Sequence, residues 1–216
     1  MSNTESVIVV HGLWVHGLIM GWLARRIARC GFAARTYSYP SLRLTLTENA
    51  ERLAHYCAGL AVPRVHIVAH SMGGLVALRM LETDRSVRCG RLVLIGTPYT
   101  GSFAAQRLAR FPGGQALLGR SIAEWLARPR PVIDGAIEVG VIAGTRGIGL
   151  GRLVAPGLPQ PNDGVVTLAE TMIPGVTQQI ALHVGHSEML VSRAVARQCG
   201  AFLRDGRFEP GAGGRS

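Results

Sequence analysis

Six short apolar runs recur along the chain with helix-like stretches between them, and no other feature restricts the possible folds as much. They are "VIVV" (7–10), "ARTYSY" (34–39), "RVHIVA" (64–69), "RLVLIG" (91–96), "IEVGVIAG" (137–144) and "QIALHV" (179–184). Their hydrophobicity is mostly continuous rather than alternating, which marks strands buried on both faces of a helix-covered parallel sheet. Stretches such as "MGWLARRIARCG" and "TENAERLAHYCAGL" lie between them with apolar residues at helical spacing. In the second, Thr47 reads as a cap, with Glu48 and Glu51 in the first turn. Repeated strand-then-helix order with right-handed crossovers predicts an α/β domain, a minimal doubly wound and mostly parallel six-stranded sheet with helices on both faces.

With 216 residues, 48% of them hydrophobic and 17% charged, the chain suits one compact core. We expect one domain over residues 1–205, a helical insertion at about 101–135, and a disordered tail at 206–216. Residues 145–163, rich in Gly and Pro, read as a long functional loop. The net charge of +10 comes entirely from arginine, since the chain has no lysine. Those arginines are scattered along helices, and nucleic-acid motifs and zinc spacings are absent, so no nucleic-acid partner and no metal are expected. The charge remains compatible with anionic substrates or with transient contact with an acidic lipid surface. Cys30, Cys57, Cys89 and Cys199 lie far apart and read as buried thiols. "MSNTES" runs straight into the first strand with no leader or membrane span, which gives a cytoplasmic expectation.

"AHSMGG" (69–74) places a serine between a β-rich run and the helical "LVALRMLE". A small-residue corner can be an ordinary loop. In a strand-turn-helix context, however, it sets Ser71 Oγ proud of the sheet with a helix N-terminus behind it. A serine hydroxyl needs a base, and the base needs an orienting carboxylate. The chain order of this chemistry predicts an acid and then a histidine downstream. Among Glu124, Asp134, Glu138, Asp163, Glu170 and Glu188, we favour Asp163 at the end of the Gly/Pro loop, with Asp134 as runner-up. In "LHVGHSEML", His186 follows a glycine in the last turn, whereas His183 falls within the strand as a core histidine; His186 is the favoured base. His70 is expected to point away from Ser71 Oγ, and His11 to be a turn residue bonded to backbone. Oxyanion donors are expected from the Met72 N–H and from Leu13 in "VVHGLW". Trp14 and Met189 are the candidate acyl-binding side chains.

"VVHGLW", "AHSMGG", "GTPYTGS", "NDGVV" and "GHSEML" together resemble a minimal bacterial α/β-hydrolase of the lipase and esterase group, similar to small lidless lipases and related deacylases. The resemblance spans residues 7 to 203. It implies a Ser71, Asp163 and His186 triad, Leu13 and Met72 as oxyanion donors, no cofactor, and a small-molecule or lipid ester as substrate. Ala69 stands where the commoner elbow has glycine, as in small bacterial lipases. A single glycine after His11 is similar to the oxyanion loops of enzymes favouring medium or longer acyl chains. Thioester hydrolysis and acyl transfer use the same constellation, and a catalytically silent binding module is the alternative from another class.

Overall fold

The computed structural model describes residues 5–14, 17–84, 86–133, 135–148, 155–176 and 178–211. Strand β1 (Ser6–Val10) is followed by helix α1 (Gly17–Ala28), β2 (Ala33–Tyr37), α2 (Leu46–Ala58), β3 (Val65–His70), α3 (Met72–Thr83) and β4 (Cys89–Ile95). Next come α4 (Phe103–Leu108), α5 (Gly114–Ala127), β5 (Glu138–Gly144), the one-turn α6 (Leu168–Thr171) and β6 (Gln178–Leu182). A 3₁₀ turn at Glu188–Leu190 and the last helix, α7 (Arg193–Asp205), close the order. All six strands pair in parallel, in the spatial order β2-β1-β3-β4-β5-β6.

Every strand lies within two residues of its expected position, because continuous apolar runs have nowhere to go but a sheet covered on both sides. Alternate residues divide between two cores. Ile8, Val10, Ile67, Ala69, Leu92 and Leu94 face α2, α3 and α5. Val7, Val9, Val68, Val93 and Ile142 face α1 and α7. The chain leaves β1 toward β2 on one side and returns to β3 on the other. The C-terminal ends of β1 and β3 therefore flank the switch point where ligands bind in open sheets of this kind.

Two local expectations change. Helix α2 is capped by Thr45 rather than Thr47: Thr45 Oγ1 accepts the Glu48 N–H at 3.1 Å, while Glu48 Oε2 accepts the Thr45 N–H at 2.7 Å. Thr47 instead donates its N–H and hydroxyl to Glu124 of α5. Residues 206–211, expected as part of a disordered tail, are anchored at Phe208, with 207 and 209–211 exposed. Phe208 is buried against Phe202, its N–H donates to Gln178 Oε1, and Arg197 pairs with Glu209 at 3.0 Å. Residues 212–216 lie outside the described residues. All four cysteines are free, and burial raises Cys57 and Cys89 to about 11 and about 12, so these thiols pack rather than react. Among the described residues no helix is long and apolar enough to cross a membrane.

Candidate active site

Ser71 joins β3 to α3 with φ 53° and ψ −125°, a conformation that side-chain-bearing residues rarely adopt. Such geometry costs about 1–3 kcal/mol and persists only where the surroundings enforce it. The Ser71 N–H donates to Ile95 O at 2.8 Å, and Thr97 Oγ1 donates to Ser71 O at 3.1 Å. Glycines supply the remaining room. A Cβ on Gly73 would collide with the backbone carbonyl of His11, one on Gly74 with Thr97 Oγ1, and one on Gly12 would stand 2.9 Å from Ser71 Cβ. The "MGG" that opens α3 is thus a steric requirement for bringing strand, helix and the β1 loop together.

Asp163 and His186, the candidate acid and base, lie side by side. Asp163 Oδ2 lies 2.7 Å from His186 Nδ1, and Asp163 is 1% exposed. Asp163 Oδ1 accepts the Val165 and Val166 N–H groups at 2.9 and 2.7 Å, an Asx-type turn that fixes the carboxylate. A carboxylate accepts only, so Nδ1 of His186 carries the proton and Nε2 is left free to act as a base. The His186 N–H donates to Asp163 O at 2.8 Å, which ties the two loops through the main chain as well.

The other described candidates for the acid are committed elsewhere. Glu124 serves α2, Glu138 pairs with Arg91, Glu170 caps α6, and Glu188 pairs with Arg146. Asp134 lies outside the described residues. His183 is exposed past the end of β6 instead of buried within it.

Ser71, His186, Leu13, Trp14 and Met72 line one cavity of about 410 Å³. Ala104, Ala105, Leu108, Leu118 and Ile122 of the insertion line it, as do Ile148, Val165, Val166 and Leu190. No Arg, Asp or Glu is among its described lining residues. The insertion therefore serves as both wall and core, since Trp125 is fully buried while Phe111 and Leu117 face solvent. Met189, expected in the pocket, is wholly buried in the α1–α7 core with its methyl toward Gly144; the 3₁₀ turn presents its neighbour Leu190 instead. Trp14, half exposed, donates its indole N–H to Leu117 O at 3.0 Å and so links the β1 loop to α5.

Two further residues belong to the site. Gly96, at φ +55°, sits behind the acid–base pair: a Cβ there would stand 3.2 Å from both Asp163 Oδ2 and His186 Nδ1. The glycine at the end of the "RLVLIG" run was the available signal. His70 does not turn away from the site; its ring lies 4.6 Å from that of His186, and it lines the same cavity. His11 behaves as expected, with Nδ1 donating to Gly12 O at 2.8 Å, Nε2 accepting the Tyr39 N–H, and its ring stacked on Tyr39. Leu13 and Met72 follow the β1 turn and open α3 respectively. The first N–H groups of a helix have no acceptor one turn back, which leaves that of Met72, a residue lining the pocket, without an intrahelical partner.

A family model for the alpha/beta hydrolase family matches residues 7–213. The chain belongs to that family. Among solved structures, this alpha/beta hydrolase superposes on the mature lipase BlEst2 of Bacillus licheniformis with a TM-score of 0.74 at 17% identity, covering 94% of this chain and 92% of that one. The metagenomic carboxyl esterase MGS0156 gives a TM-score of 0.66 at 20% identity over 86% of this chain and 65% of that one. Carboxylesterase CesB of Bacillus subtilis gives 0.60 at 14% over 95% and 85%. Identities this low establish a shared fold. No curated protein sequence matches the chain significantly.

Proposed function

We propose that this chain is a serine hydrolase of carboxylic esters that works through an acyl-Ser71 intermediate. The observation that carries the reading is the buried 2.7 Å contact between Asp163 and His186 at the cavity that also holds Ser71. Ser71 Oγ attacks the ester carbonyl while His186 Nε2 takes its proton, and the imidazolium so formed is stabilised by Asp163. Charge developing on the carbonyl oxygen is met by the backbone N–H groups of Leu13 and Met72, and losing one such donor costs about 3 kcal/mol of barrier. His186 then returns the proton to the leaving alcohol. Water, deprotonated by the same nitrogen, next attacks the acyl carbonyl, releasing the acid and restoring Ser71.

The cavity's lining supports an uncharged acyl group. Its walls are aliphatic, and burying a charge against them without a partner is costly. Trp14 and Leu190 are the side chains best placed to flank the chain of the acid.

Labelling with a fluorophosphonate tests the reading. Mass spectrometry is expected to find the adduct on Ser71, and Ser71→Ala is expected to lose several powers of ten in kcat on p-nitrophenyl esters. A variant that keeps its activity rules the mechanism out.

A further inference from the structure

Building on the serine-hydrolase reading above, we propose that His70 is a positioning residue: it holds the loop that carries His186 in register with the strand that carries Ser71.

His70 is the last residue of β3 and immediately precedes Ser71. It is 2% exposed, so its ring is committed to the interior. Its Nε2 lies 3.1 Å from the main-chain carbonyl oxygen of His186. A carbonyl can only accept, so Nε2 carries the hydrogen and Nδ1 is left with a lone pair. That Nδ1 is buried and has no partner among the described residues; a Cβ on Gly12 of the β1 loop would stand 3.2 Å from it. Leaving a buried acceptor unsatisfied costs about 1–3 kcal/mol, a loss that a leucine or phenylalanine filling the same space would avoid. Packing alone therefore does not account for an imidazole here, whereas its single directed N–H does.

His186 is gripped at three points. Two of them, its main-chain N–H on Asp163 O and its Nδ1 on Asp163 Oδ2, come from the acid loop. The third comes from His70. Of the hydrogen bonds made by the described residues 183–187, it is the one that reaches β3, and so the one that ties the base directly to the nucleophile's own strand. The two rings lie 4.6 Å apart and tilted by 48°, so His70 also backs the face of the catalytic imidazole. Burial first, and the neighbouring imidazoles of His186 and His11 second, hold His70 neutral. No second cation then stands beside His186 when it takes the serine proton. Asp163, bonded to the far edge of the His186 ring, is the carboxylate that completes this surrounding set.

The test compares the full-length chain with His70→Leu, His70→Gln and His70→Asn variants, using p-nitrophenyl ester kinetics, fluorophosphonate labelling rates and thermal unfolding. A base displaced by about an ångström loses about a hundredfold in rate. His70→Leu is therefore expected to lower kcat about ten- to a hundredfold and to slow labelling in parallel, with KM within about twofold of wild type. Glutamine, whose amide reaches about as far as Nε2, is expected to recover most of kcat; asparagine, too short to reach the carbonyl, is not. That contrast stands even if His70→Leu does not fold. The proposal is overturned if the glutamine and asparagine variants are equally active at equal stability, if His70→Leu keeps wild-type kcat, or if only KM moves. Absence of label on Ser71 in the wild-type chain overturns the serine-hydrolase reading and this inference with it, whereas a labelled wild type beside a fully active His70→Leu overturns the inference alone.

Discussion

The elbow at Ser71 and the helical wall at 101–133 border the same cavity but are specified in opposite ways. Around the elbow, main chain packs closely against its neighbours: a Cβ on Gly73 would press on the His11 and Val10 carbonyls, one on Gly12 on Ser71 Cβ, one on Gly74 on Thr97, and one on Gly96 on the Asp163–His186 pair. The wall is instead made of side chains, with Ala104, Ala105, Leu108, Leu118 and Ile122 turned inward and Phe111 and Leu117 outward. Backbone contacts have no rotamers with which to absorb a change, whereas aliphatic side chains repack for small costs. On the proposed reading, the chemistry is thereby fixed by sterics, and the choice of acyl chain is left to a surface that can vary.

The contrast can be broken most directly at Gly73. Gly73→Ala drives a methyl into the His11 and Val10 carbonyls, and chemical denaturation is expected to show a loss of about 3 kcal/mol or more together with the loss of ester cleavage. A Gly73→Ala chain of wild-type stability would show that the elbow is as forgiving as the wall.

On the wall, Ile122→Ala is expected to leave short esters unchanged. For chains long enough to reach α5 it should lower kcat/KM about tenfold, at the lower end of what a lost aliphatic contact is worth in a hydrophobic pocket. Hydrolysis of p-nitrophenyl esters of graded length measures this. An equal loss on the acetate ester would mean that the wall positions the reacting centre too.

The smallest expected effect is on acid stability. His70 is buried and neutral, with its pKa held well below that of the unfolded chain. Below about pH 6.5 the unfolded chain takes up a proton that the folded one refuses, so stability falls as the pH drops, by at most about 1.4 kcal/mol per unit; above that pH the contribution is level. Buried His66, whose pKa burial also lowers, adds to the same slope. Thermal unfolding at pH 7.5 and 5.5 is expected to show this slope in the wild type and a flatter one in His70→Gln.

What was legible in the sequence follows the same division. The six strands could be read because continuous apolar runs are a one-dimensional signal, and the chain order was enough to pick out Asp163 and His186, which lie 2.7 Å apart beside the cavity that Ser71 lines. The Thr45 cap was legible too, since Thr45 and Glu48 have the spacing of a capping box, but Thr47 drew the eye. Met189 and Leu190 could not be told apart, because which of two adjacent apolar residues a 3₁₀ turn turns inward depends on how that turn docks. Phe208 was the apolar clue that residues 206–211 are anchored, but it stands alone without periodicity. His70 was misread for a related reason: strand alternation fixes the side of the sheet a residue faces, but not which loop arrives above it.

The absence of Arg, Asp and Glu among the described residues of the cavity lining has a consequence for turnover on the proposed reading. An ester enters an aliphatic cavity as a neutral guest. Cleavage makes it a carboxylic acid, which is ionised at neutral pH, and an unpaired carboxylate is held in such surroundings only at a cost of several kcal/mol. The described residues offer no arginine within that lining. Hydrolysis thus converts a guest that the cavity favours into one that it repels, and the pocket works as a valve: the lining that admits the substrate discharges the product.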